Sequence, residues 1–122
     1  VYDTFCMVRD QYRVGFIVIT HDLLLARKFR ERIVVMYCGR VLETNAAREL
    51  FEHPRHPYTQ GLIASLPHLG MKPMAGFSPA FTDQPSGCVF HPRCPYAEAR
   101  CRHTEPKSIP CGEGSVCCHR YA

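Results

Sequence analysis

Six cysteines, Cys88, Cys94, Cys101, Cys111, Cys117 and Cys118, crowd the last third of a 122-residue chain. Thiols at that density cross-link as disulfides in a secreted protein, or hold a metal or cluster in a reducing compartment. Cys6 and Cys38 stand alone in apolar segments and read as small buried apolar residues. A second chemical feature is His21, which follows the apolar run Phe16-Ile17-Val18-Ile19 and Thr20. In open α/β sheets ligands gather at the carboxyl ends of strands. An imidazole there can donate a hydrogen bond to a phosphate oxygen or orient a water.

The surrounding pattern predicts what positions these groups. Val1, Phe5, Val8 and Tyr12 recur at helical spacing, and Gly15 is placed to end that helix. Residues 16–19 then read as a strand buried on both faces, as in a parallel sheet covered by helices. Leu23 to Arg32 reads as a helix. Ile33 to Cys38, a Gly39-Arg40 turn and Val41 to Thr44 read as a β-hairpin. Asn45 is expected to cap a short helix with Ala46, Ala47, Leu50 and Phe51 on its apolar side. Pro57 fits the first turn of a helix running to about Ser65.

From Pro67 onward the texture changes, with eight of the ten prolines and five of the eight glycines at or beyond that residue. Residues 67–87 read as an irregular linker or wrapping loop. Residues 88–122 offer only Val89, Ile109 and Val116 as large aliphatics, so this tail needs a staple beyond hydrophobic burial. No apolar stretch approaches a membrane span, so membrane contact is expected through a partner. The net charge of +4 is scattered and calls for no nucleic-acid partner.

Residues 17–23, Ile-Val-Ile-Thr-His-Asp-Leu, and residues 32–43, with Tyr37-Cys38-Gly39-Arg40 at the turn, resemble the switch-histidine region of ABC-transporter nucleotide-binding domains. That resemblance implies a catalytic role for His21, in contact with the γ-phosphate of ATP. His56-Pro57-Tyr58-Thr59-Gln60-Gly61-Leu62-Ile63-Ala64-Ser65-Leu66-Pro67 narrows it to the ATP-binding subunits of oligopeptide, dipeptide and nickel importers. The tail resembles the same group in Gly87-Cys88-Val89-Phe90-His91-Pro92-Arg93-Cys94-Pro95, Cys101 and Cys118-His119.

The implied fold class is α/β: part of a P-loop NTPase sheet edge with a β-hairpin over residues 1–66, then an irregular Cys-rich tail over 67–122. No G-x-x-x-x-G-K-[ST] loop, Asp-Glu strand end or Gly-rich signature occurs, so ATP and Mg²⁺ would be handled only by an intact subunit. The N-terminus has neither an initiator Met nor a signal-peptide pattern, and together these features lead to the expectation of an N-terminally truncated chain.

Members of the family with this tail are associated with a [4Fe–4S] cluster. By the resemblance its ligands are Cys88, Cys94, Cys101 and Cys118, with Cys117 or Cys111 as the alternative fourth. Structural zinc sites use close C-x2-4-C pairs, which the spacing of these four lacks, whereas a cubane accepts ligands from more separated points. Zinc, and unligated or disulfide-bonded cysteines, remain the alternatives. His91, His103 and His119 are expected beside the ligands or at the surface. The implied partners are a second ATP-binding subunit and a transmembrane permease pair, at the cytoplasmic face of the membrane. The cargo is short peptides or nickel. The rival reading is a free-standing cluster- or zinc-binding module with no transport role.

Overall fold

The computed structural model describes residues 2–29 and 31–122. Helix α1 spans Tyr2–Tyr12 and α2 spans Leu23–Phe29; β1 (Arg32–Tyr37) and β2 (Arg40–Ala46) form the central hairpin. Helices α3 (Ala47–Glu52) and α4 (Pro57–Ala64) follow. The tail then contributes α5 (Ala99–His103), β3 (Ile109–Cys111) and β4 (Gly114–Val116), interspersed with single 3-10 turns. The four strands form one antiparallel sheet in the order β1-β2-β4-β3.

The parallel strand expected over residues 16–19 is not formed. Residues 14–20 are irregular, and Ile17 and Ile19 are 95% and 93% exposed. A strand buried on both faces needs hydrogen-bonded neighbours and covering helices. No described strand pairs with this segment, so Ile17 and Ile19 stay in solvent, while Phe16 packs edge-on against Phe5 of α1 at 5.4 Å between ring centroids.

Three smaller expectations also shift. The hairpin turn is Cys38-Gly39 rather than Gly39-Arg40, because Tyr37 pairs with Arg40. Cys38 and Gly39 both take positive φ, 49° and 75°, as a turn matching the strand twist requires. Asn45 lies inside β2, fully buried, and its side-chain oxygen accepts from Ala46 N–H next door rather than capping α3. The second helix ends at Phe29, and Arg32 begins β1; Arg30, within the expected helix, lies outside the described residues.

The tail is more ordered than expected. β4 pairs with β2 through Glu43 with Val116 and Thr44 with Ser115. A Cβ at Gly114 would run into the Thr44 carbonyl, so only glycine lets the two backbones approach. Tyr37 and Leu42 of the hairpin pack with Cys88, Val89 and Phe90 of the tail in one core cluster. Phe90 is 1% exposed, with the rings of Tyr37 and Tyr58 at centroid distances of 5.4 and 5.3 Å. Residues on both sides of the Pro67 texture change therefore share one sheet and one core.

A bulge between Val35 and Met36 in the β1–β2 register leaves consecutive Leu42 and Glu43 both buried. Two neighbouring inward side chains break the strict alternation of a strand, which is what a bulge permits. Leu42 enters the core. The Glu43 carboxylate turns to the residues ahead of α4, where it accepts from Arg55 N–H at 3.0 Å and His56 N–H at 2.8 Å.

Candidate functional site: a cavity lined by four cysteines

The tail folds its cysteines inward by a chain of local bonds. Cys88 N–H donates to the Cys101 carbonyl at 2.8 Å, joining the first cysteine to α5. Gly87 precedes it at φ 67°, packed so closely on the Cys101 carbonyl that a Cβ would not fit. The Cys88 carbonyl accepts from both His91 N–H at 3.0 Å and His91 Nδ1–H at 2.8 Å, which shapes the 3-10 turn His91–Arg93 leading to Cys94. Glu98 and Cys101 close a capping box at the start of α5, with Glu98 N–H donating to Cys101 Sγ at 3.5 Å.

At the chain's end, Cys118 precedes the turn His119–Tyr121. His119 is buried and its Nε2–H donates to the Thr104 carbonyl at 2.7 Å. Arg100 of α5 donates to the His119 carbonyl at 2.7 Å. Both bonds hold the last turn against α5.

Cys88, Cys94, Cys101 and Cys118 thereby line one cavity, shared with His56, Phe90 and His91. Its free volume is about 20 Å³, room for one water. Burial pushes the Cys88, Cys94 and Cys118 thiols up, and neighbouring cysteines of the set push them further. Buried thiols gathered in one desolvated place, as Cys88, Cys94 and Cys118 are, resist ionising unless a cation shares it. All eight cysteines are free. Among the described residues, no three His, Cys, Asp or Glu side chains are grouped to hold a metal ion.

Cys117 and Cys111 lie elsewhere. Cys117 does not line that cavity; it lines a second one, of about 240 Å³, with Arg40, Val41, Glu105 and Pro106, and Cys88 borders both. Its N–H donates to the Leu42 carbonyl, and its thiol meets Ser108. Alternation along an extended chain sends Cys117 and Cys118 to opposite sides. Cys111 sits in β3, on the edge of the sheet. Cys6 and Cys38 are only half-buried, in α1 and at the hairpin turn. His103 is exposed on α5.

His21 is exposed in a bend before α2. Asp22 beside it caps that helix, accepting from Leu24 N–H at 3.0 Å and Leu25 N–H at 3.1 Å. The strand expected to present His21 is not formed.

Sequence reasoning passed over one residue that lines the cavity and one that holds it in place. His56 is fully buried, lines the cysteine cavity and caps α4 by accepting Tyr58 N–H on Nδ1 at 3.0 Å. Burial pushes its imidazole down to about 4. Its position directly before Pro57 was the available signal, because the residue preceding a proline at the first helical position is the cap. Glu43 is the second. Its burial depends on the bulge, and nothing local to residue 43 announces it.

Residues 42–101 match the family model for the oligopeptide/dipeptide transporter C-terminal region. The chain is 42% identical over 111 residues to the dipeptide transport ATP-binding protein DppD of Haemophilus influenzae, covering 87% of this chain and 34% of the relative. It is 38% identical over 120 residues to the DppD of Caldanaerobacter subterraneus, covering 93% of this chain and 37% of that one. The DppD of Escherichia coli is 41% identical over 104 residues, 81% of this chain and 32% of the relative. The chain spans about a third of the length of the curated relatives it matches. It belongs to the family of oligopeptide and dipeptide transporter ATP-binding subunits, whose C-terminal region it carries.

Proposed function

We propose that this chain forms the C-terminal part of the ATP-binding subunit of an importer for short peptides, with His21 serving the nucleotide site and the cysteine cavity holding an iron–sulfur cluster. The observation that carries this reading is the lining of one buried cavity by Cys88, Cys94, Cys101 and Cys118, built directly onto the hairpin core of an ATP-binding-subunit relative.

The donor set favours a cluster over a single zinc. One Zn²⁺ needs its ligands about 2.3 Å from a common point. The four cysteines are spaced along the sequence without the close C-x2-4-C pairs of structural zinc sites. An all-thiolate set drawn from separated points of the chain suits the four corners of a cubane. The cavity has space for about one water, so loading requires the thiols to move apart. Cys94 and Cys118 stand in the coil directly beside 3-10 turns, where a small shift breaks few backbone bonds.

When bound, a cluster supplies cross-linking through iron–thiolate bonds and a one-electron redox couple. The chain's own residues hold the thiols in place. His91 fixes the Cys88 carbonyl, His119 and Arg100 tie the last turn to α5, and Phe90 closes the apolar wall.

His21 is assigned the γ-phosphate contact, and a second ATP-binding subunit and a permease pair are the partners. Among the described residues no helix is long and apolar enough to cross a membrane, so attachment to the cytoplasmic face would run through the permease. Two measurements test the halves separately. Anaerobically purified protein is expected to be brown; a colourless protein without iron would remove the cluster half. In an intact subunit assembled with its permease, His21→Ala is expected to lower ATP turnover while nucleotide binding survives. Lost affinity with unchanged turnover per bound nucleotide would remove the other half.

A further inference from the structure

The cysteine cavity contains a polar group whose hydrogen bond is missing. His56 lines it and is fully buried. Its Nδ1 accepts the Tyr58 N–H at 3.0 Å. A ring nitrogen that accepts a backbone N–H carries no proton, so the proton of the neutral ring sits on Nε2. That Nε2 is buried and, like Thr59 Oγ1 in α4, has no partner among the described residues. Buried donors are almost always paired, and an exception calls for a specific explanation.

The orientation of this ring is set from three sides. The Glu43 carboxylate accepts His56 N–H at 2.8 Å and fixes the backbone. Tyr58 N–H holds Nδ1. The Phe90 ring stands edge-on to it, 5.6 Å between centroids. A donor so constrained, on a residue lining the same cavity as four thiols, matches an occupant that presents electron-rich sulfur.

We propose that His56 Nε2–H donates a hydrogen bond to the sulfur of the thiolate-ligated cluster in this cavity, either an inorganic sulfide or a ligating cysteine, and raises its reduction potential. This rests on the cluster reading of the cavity. The reduced cluster carries one more negative charge than the oxidised one. An N–H···S bond is therefore stronger in the reduced form and favours it.

Two substitutions separate this bond from the helix cap. His56→Asn keeps an acceptor near the Nδ1 position and removes the distal donor, whereas His56→Gln keeps a distal N–H and loses the cap. The full chain is purified anaerobically, its iron is counted, and its midpoint potential is measured by redox titration. The Asn variant is expected to load iron like the unsubstituted protein and to shift to a more negative potential. The Gln variant is expected to stay near the original potential and to melt at a lower temperature. An unchanged potential in His56→Asn, or equal shifts in both variants, overturns the proposal.

If neither variant loads, the unsubstituted protein decides. With ¹⁵N-labelled histidine, pulsed EPR of the reduced cluster should show coupling to an imidazole nitrogen, and its absence overturns the bond. Unsubstituted protein without iron refutes the cluster reading and this inference with it. That failure is visible in the iron count before any potential is read.

Discussion

Residues 16–19 and residues 88–90 make an instructive pair. Phe16-Ile17-Val18-Ile19 is among the most apolar runs in the chain, yet two of its isoleucines are more than nine-tenths exposed. Cys88-Val89-Phe90 comes from a tail poor in aliphatic residues, and all three are buried. Burial is a property of what surrounds a segment. The tail brings its own backbone partners, from the Cys88–Cys101 bond to the β2–β4 ladder. The apolar run has none among the described residues.

The comparison is broken most severely at Phe90. Phe90→Ala removes a ring packed against Tyr37, Tyr58 and His56, and is expected to destabilise by about 3–5 kcal/mol in chemical denaturation. A loss under 1 kcal/mol would mean that the tail core contributes little.

Acid should act on the same region through His56. Its folded value lies at about 4, below the unfolded value of 6.5. The unfolded chain therefore takes up a proton that the folded ring resists. Stability from this group is complete above the unfolded value, falls as pH drops from 6.5 to about 4, and is flat below. The full effect is on the order of 3 kcal/mol, since each pH unit between the two values corresponds to about 1.4 kcal/mol. His56→Asn should flatten that part of the pH–stability curve, measured by urea titration; a curve identical to the unsubstituted protein's would refute the assignment.

Glu43→Gln tests the clamp beneath. The carboxylate accepts N–H bonds from Arg55 and His56, and the amide weakens them and introduces an unmatched NH2, for a loss of about 1–3 kcal/mol. Amide exchange at Arg55 and His56 should quicken, and unchanged exchange would contradict the clamp. Smallest is Ile17→Ser, at a position 95% exposed, expected within about 0.5 kcal/mol by the same denaturation. A larger loss would show that the apolar run is buried in solution.

Much of this was legible in the residues. Helical spacing placed α1, and the Pro57 start placed α4. The apolar runs gave the hairpin, with its turn one residue late because Cys38, unlike glycine, does not advertise a positive φ. The grouping of Cys88, Cys94, Cys101 and Cys118 came from family words, whereas spacing alone left Cys111 and Cys117 open. What stayed hidden depends on contacts between distant segments. β4 joins β2 across about seventy residues through a glycine that reads as a turn signal. Glu43 and His56 are polar residues made internal by a bulge and a proline turn, which periodicity scores as surface. The strand reading at 16–19 failed for the converse reason: pattern describes what a segment can do once it has neighbours.

The central claim is that four particular thiols act as one donor set, and a serine scan of anaerobically purified protein tests it most directly. Iron and sulfide are each expected at about four per chain. Cys88→Ser, Cys94→Ser, Cys101→Ser and Cys118→Ser should each lose them, and Cys111→Ser and Cys117→Ser should retain them. Retention in Cys118→Ser with loss in Cys117→Ser would contradict the geometry of the cavity. Stoichiometric zinc, or no metal at all, would contradict the cluster itself.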